Sequence, residues 1–142
     1  MEGYKKMIIV IAEDDDGHAE LIKEGLRDSG ICNEIIRFSN GKETWEFFKN
    51  QSEKTKKPNT GYLLLLDINM PIMDGFEVLR KIKNDCNLKE IPVMMLTTTD
   101  DPRDVEECYK IGCNFYVTKP VAFPKFAETL KRMGLFIQIV KI

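Results

Sequence analysis

Apolar residues along this chain fall into two alternating patterns. Short continuous runs occur at MIIVIA (7–12), EIIRF (34–38), YLLLL (62–66), IPVMML (91–96) and NFYV (114–117). Continuous rather than alternating hydrophobicity suits strands covered on both faces, as in a parallel sheet. Between the runs lie stretches of helical period: Ala19, Ile22 and Leu26; Phe76, Leu79 and Ile82; Val105, Cys108 and Tyr109; and finally Phe123, Phe126, Leu130 and Met133. Each stripe predicts a core-facing helix surface. Gly30 and Gly112 sit where C-terminal caps belong, Ser39-Asn40-Gly41 reads as a turn, and Pro102 stands where a helix starts. The polar stretch SEKTKKPNTG (52–61) reads as a surface loop, and no internal repeat is present.

Strand–helix pairs in series predict an open α/β fold with parallel strands and right-handed crossovers. In such folds ligands bind beyond the carboxyl ends of the strands, where the strand order reverses. Polar residues end almost every apolar run: Glu13-Asp14-Asp15-Asp16, then Asp67, then Thr97-Thr98-Thr99, then Thr118-Lys119-Pro120. The fold would bring them to one edge of the sheet. Carboxylates within a few ångströms repel one another unless a cation intervenes. Mg²⁺ is the natural choice, because it takes one or two carboxylates together with water and phosphate oxygens. Lys119 adds a second positive charge on a flexible stem, and Thr97 a hydrogen-bond donor. A carboxylate beside Mg²⁺ and a lysine can attack phosphorus and form an aspartyl phosphate. Within the acidic run, Asp15 or Asp16 is also suited to capping the following helix.

Composition narrows the alternatives. The 142 residues carry 21 basic and 23 acidic groups, a net charge of −2, and 43% hydrophobic residues, the mix of one globular domain. Neither half of the chain has the basic excess of a nucleic-acid binder. The four cysteines (Cys32, Cys86, Cys108, Cys113) are scattered, and with a single histidine they offer no transition-metal spacing. The N-terminal apolar run is only six residues long, too short for a signal peptide or a membrane span. A cytoplasmic protein with no membrane partner is the expectation.

The segments LLLLDINMPIMDGFEVL (63–79), LTTTDD (96–101) and YVTKP (116–120) strongly resemble the receiver domain of two-component response regulators, over about Ile8 to Met133. The resemblance implies a doubly wound, flavodoxin-like, five-stranded parallel sheet of order 2-1-3-4-5. It implies one receiver domain over 1–142, with its core at about 7–133 and a C-terminal extension at 134–142. It makes Asp67 the phosphoacceptor, Glu13 and Asp14 the acidic pair for Mg²⁺, and Asn69 a metal ligand through its backbone carbonyl. Thr97 becomes the switch hydroxyl, Lys119 a phosphoryl contact, and Tyr116 the aromatic residue that moves with Thr97. Pro71 and Gly75 shape the loop after the acceptor strand. Thr98 stands where alanine is common in the family, and its backbone N–H still serves the phosphoryl group. The four consecutive acids leave a second register open, with Asp14 and Asp15 as the metal pair.

The implied partners are a sensor histidine kinase, phytochrome-like by similarity to the small stand-alone receivers, and a downstream protein or phosphotransfer protein. The 22 residues after Pro120 leave no room for a DNA-binding domain. Their apolar tail GLFIQIVKI either packs on its own domain or makes a partner or homodimer contact. A phosphohydrolase of the haloacid-dehalogenase kind would need a second Asp two residues after Asp67 as general acid, and that position is Asn69. Self-catalysed acceptance and loss of phosphate, rather than enzymatic turnover, is therefore the expectation. A degenerate receiver scaffold would lack an acid, the acceptor or the lysine, and all are present. A flavin carrier would need a hydroxyl-rich phosphate loop where this chain is acidic.

Overall fold

The computed structural model describes residues 6–28, 30–54 and 60–119, together with Glu128 and Arg132. The last helical stripe, the Pro120 turn and the tail GLFIQIVKI lie outside these residues. Among these residues five strands and four helices alternate: β1 (Lys6–Ala12), α1 (Asp16–Asp28), β2 (Ile35–Phe38), α2 (Gly41–Lys54), β3 (Thr60–Leu66), α3 (Gly75–Lys83), β4 (Val93–Thr97), α4 (Pro102–Ile111) and β5 (Phe115–Thr118). Every strand pair is parallel, and the order is β2-β1-β3-β4-β5. This is the flavodoxin-like arrangement expected. From β1 the chain steps outward to β2, then returns to β3 on the other side, so the order reverses between β1 and β3.

The continuous apolar runs are explained by burial on both faces. Ile8, Val10 and Ala12 of β1 join Leu64 and Leu66 against Phe48, Val78, Leu79 and Ile82. The alternate residues Met7, Ile9 and Ile11 join Leu63, Leu65, Met94 and Leu96 against Ile22 and Leu26 of α1. Successive strand side chains point to opposite faces, so each run feeds two cores.

Polar chemistry sets the helix starts. Asp74 accepts from the Glu77 backbone N–H at 3.0 Å and caps α3. Asp101 accepts from Arg103 N–H at 2.9 Å ahead of Pro102. Asn40 accepts from Glu43 N–H at 2.8 Å and starts α2. Gly30 and Gly112 adopt φ of 86° and 133°, the left-handed turns anticipated after α1 and α4.

Two expectations change. Helix α2 continues to Lys54, into the stretch read as loop. Ser52 explains the extension: its hydroxyl lies 3.0 Å from both carboxylate oxygens of Asp85, and its carbonyl accepts from Asn87 at 3.3 Å. That anchor is 33 residues away and leaves no local signature. Tyr109, read as core, is 48% exposed, whereas Cys108 is buried. Helix α4 lies over β5, the edge strand of the described sheet, so its buried face is narrower than the apolar stripe. Among the described residues, no helix is long and apolar enough to cross a membrane.

Candidate functional site

The strand register places the acids side by side. Ala12 of β1 pairs with Leu66 of β3. The next residues, Glu13 and Asp67, therefore leave adjacent strands together, and the Asp67 backbone N–H donates to the Ala12 carbonyl at 3.0 Å. Carboxylate oxygens of Glu13, Asp14 and Asp67 lie within 4.8 Å of one another. Glu13 is buried, with 1% of its side chain exposed, whereas Asp14 is exposed.

Asp15 has a different task. Its Oδ1 accepts from the His18 backbone N–H at 2.9 Å, which caps α1 and holds its carboxyl below the usual range. Of the two registers open in the sequence, the convergent group is Glu13, Asp14 and Asp67. Burial holds the Glu13 carboxyl above its ordinary value. The hydrogen bond from Lys119 opposes that rise, and the neighbouring Asp67 charge adds to it.

Lys119 enters from the end of β5, where its backbone N–H donates to the Thr97 carbonyl at 2.6 Å. Its Nζ lies 2.5 Å from Glu13 Oε1, 3.1 Å from His18 Nδ1 and 3.7 Å from Asp67 Oδ2. Asp67 Oδ1 is buried and has no hydrogen-bond partner among the described residues. A buried carboxylate oxygen without a partner is costly, and here it faces a pocket that also holds an ammonium and two more carboxylates. These hard oxygen donors fit a divalent cation.

The remaining predicted residues line the same edge. Thr97 is fully buried at the end of β4, and its Oγ1 accepts from the Thr99 N–H at 3.4 Å. Thr98 is exposed. Tyr116 donates its hydroxyl to the Thr99 carbonyl at 2.6 Å, and burial raises its phenol above the ordinary range. Asn69 donates Nδ2 to Thr99 Oγ1 at 3.1 Å, which joins the loop after β3 to the loop after β4. In the loop after β3, the Pro71 carbonyl accepts from Met73 N–H at 2.8 Å, and Gly75 N–H donates to Ile68 at 2.8 Å. A side chain at Gly75 would collide with the Asp67 carbonyl and the Ile68 backbone. Ile72 in this loop has φ of 73°, uncommon for a β-branched residue, and is 75% exposed.

Two residues at the site were not singled out from the sequence. Arg37 of β2 donates Nε and Nη2 to the Glu13 carbonyl at 2.9 and 2.6 Å, and Nη1 to Asp16 at 2.7 Å. An arginine inside the short apolar run EIIRF was a usable signal, since a charge there needs a partner. His18 meets Lys119 across 101 positions of sequence, and no local pattern announces that contact.

Comparison with known proteins agrees with this geometry. The model of the response regulator receiver domain family matches residues 9–131. Response regulator Rcp1 of Synechocystis is 38% identical over 118 residues, covering 83% of this chain and 80% of Rcp1. A receiver domain from Rhodospirillum rubrum superposes with a TM-score of 0.80 at 38% identity, covering 95% of this chain and 96% of that one. The Mn²⁺-bound form of Rcp1 gives 0.74 at 33% identity, with 92% and 93% covered. The phosphorylated cyanobacterial phytochrome response regulator RcpA gives 0.76 at 31%, also with 92% and 93% covered. The chain belongs to the response regulator receiver family, the signalling domains of two-component systems.

Proposed function

We propose that Asp67 accepts a phosphoryl group from the phosphohistidine of a sensor histidine kinase, in a reaction that depends on Mg²⁺. The observation that carries this reading is the buried Oδ1 of Asp67, without a partner among the described residues, beside the Lys119 ammonium and two further carboxylates. A carboxylate oxygen of Asp67 forms the new bond to phosphorus. The P–N bond of the donor breaks, and its electron pair returns to the imidazole. Lys119 sets positive charge against the phosphoryl oxygens. Thr97 donates its hydroxyl, and Thr98 its backbone N–H, to the same group. Glu13, Asp14, Asp67 and the Asn69 carbonyl are the residues that would hold Mg²⁺. That ion supplies charge neutralisation for the crowded carboxylates and the incoming phosphoryl group.

Phosphoryl acceptance is stoichiometric, and water later hydrolyses the acyl phosphate, so the protein acts as a switch rather than a turnover enzyme. Residues 1–142 form one receiver domain, working in the cytoplasm. Its output is contact with a protein partner, or relay of the phosphoryl group to a phosphotransfer protein. Similarity to Rcp1 and to the phytochrome response regulator RcpA supports a phytochrome-like kinase as the donor.

The test is incubation with acetyl phosphate, with and without Mg²⁺, of wild type and Asp67→Asn, followed by intact-mass spectrometry. One phosphoryl group should appear on wild type, only with metal, and never on the variant. Labelling that persists in Asp67→Asn, or that ignores metal, overturns the reading.

A further inference from the structure

We infer that His18 is a positioning residue for Lys119, orienting the ammonium that serves the phosphoryl group; this rests on the function proposed above. The observation is the contact between His18 Nδ1 and Lys119 Nζ at 3.1 Å, beside the 2.5 Å contact of the same ammonium with Glu13. An ammonium has three N–H donors. Glu13 Oε1 takes one. His18 Nδ1 takes the second when the ring carries its proton on Nε2. The third is left on the side of Asp67 Oδ2, 3.7 Å away, too far for a hydrogen bond but open to an oxygen that enters beside Asp67.

The helix favours this orientation. His18 lies in the first turn of α1, where side chains tilt back toward the helix N-terminus and so toward the loop that carries Glu13. Its backbone N–H is fixed by Asp15 at 2.9 Å, which sets where the ring begins. The ring is 41% exposed and Lys119 only 11%, so the imidazole forms the outer wall over the ammonium. A lysine stem has four rotatable bonds, and a second anchor removes freedom that Glu13 alone leaves. Reaction geometry is sensitive to such placement.

The experiment compares wild type, His18→Ala and His18→Asn. Asparagine places an amide oxygen near the position of Nδ1, whereas alanine removes the acceptor. Three quantities are read: the rate of phosphorylation by acetyl phosphate at saturating Mg²⁺, the Mg²⁺ dissociation constant by calorimetry, and the Lys119 ammonium signal in a side-chain ¹⁵N spectrum. In His18→Ala the rate should fall about tenfold, the loss of one oriented charge-assisted hydrogen bond, with the Mg²⁺ constant unchanged within about twofold. The ammonium signal should broaden through solvent exchange. His18→Asn should recover most of the rate and the signal. The inference is overturned by a wild-type rate in His18→Ala, by His18→Asn failing as badly as His18→Ala, or by lost metal affinity that extra Mg²⁺ makes good. If wild type takes no label, the role of Asp67 falls instead, and the ammonium signal still decides whether His18 holds Lys119.

Discussion

Glu13 and Asp67 leave neighbouring strands with their carboxylates crowded; burial is the main cause of the raised value of Glu13, and the Asp67 charge adds to it. A carboxyl raised on folding costs stability once ionised. That cost is absent below its ordinary value of 4.5 and is fully present above the folded value. Neutralising Asp67 should therefore stabilise the protein in chelator: Asp67→Asn is expected to gain about 1–2 kcal/mol, or about 2–6 °C in Tm. Mg²⁺ is expected to raise the Tm of wild type, and to raise that of the variant less. Thermal unfolding with EDTA and with Mg²⁺ checks both, and a less stable Asp67→Asn in EDTA would contradict the crowding argument. Arg37 holds the same loop from the other side through two bonds to the Glu13 carbonyl. Arg37→Ala should cost about 1–3 kcal/mol in urea unfolding and weaken Mg²⁺ binding, because the carbonyl loses its donors and the acidic loop its anchor. Arg37→Lys should not restore either, since an ammonium cannot reproduce the fork on the carbonyl and on Asp16. At this scale Glu13, Asp14, Asp67 and Lys119 are legible in sequence because each lies within two residues of the end of an apolar run. Arg37 and His18 act through contacts spanning 24 and 101 positions, which no local pattern encodes.

The elements themselves are written locally. Apolar runs end within about two residues of the observed strands, as helix and strand boundaries generally do, and Asp101-Pro102 and Gly112 bracket α4 as their backbone preferences require. Where reading fails, a distant partner decides: Asp85 extends α2 through Ser52, and the edge position of β5 leaves Tyr109 in solvent. The junction of β3 with α3 shows how an element fixes chemistry. Gly75 opens α3 directly against the Asp67 backbone, and its N–H holds the Ile68 carbonyl at 2.8 Å. Gly75→Ala must push α3 away from the end of β3 or displace Asp67 itself, since the obstructing atoms are backbone. A loss of about 2–4 kcal/mol is expected, larger than helix propensity would suggest, because alanine is otherwise the better helix former. Urea unfolding measures it. An unchanged or higher midpoint would mean that the loop between β3 and α3 yields easily and does not hold Asp67 in place.

Across the whole molecule, the candidate site is joined to the face formed by α4 and β5 through a short run of hydrogen bonds. Asn69, in the loop after Asp67, donates to the Thr99 hydroxyl at 3.1 Å. The Thr99 N–H donates to Thr97 Oγ1 at 3.4 Å, and its carbonyl accepts from Tyr116 at 2.6 Å. The 3.4 Å bond is the weak member, since hydrogen bonds fade beyond about 3.2 Å. A phosphoryl group on Asp67 that accepts from the Thr97 hydroxyl would draw Oγ1 toward itself and lengthen that bond, and a shift of Thr99 would be felt by Tyr116 on β5. Such coupling would need two arrangements of the loop after β4, whose balance a ligand at Asp67 would bias. In wild type, Mg²⁺ with beryllofluoride, a phosphoryl mimic, should therefore move backbone NMR signals along α4 and β5 as well as around Asp67. Tyr116→Phe deletes only the hydroxyl on Thr99. Its stability should fall by no more than about 0.5–1.5 kcal/mol, the worth of one hydrogen bond whose acceptor can find water. Binding of the mimic should survive, because no group that faces Asp67 is touched. The distant shifts should contract to the site, because the link from Thr99 to β5 is gone. Equal shifts along α4 and β5 in wild type and Tyr116→Phe would mean that the response travels by another route, through the Lys119 N–H on the Thr97 carbonyl, which joins the ends of β4 and β5 directly.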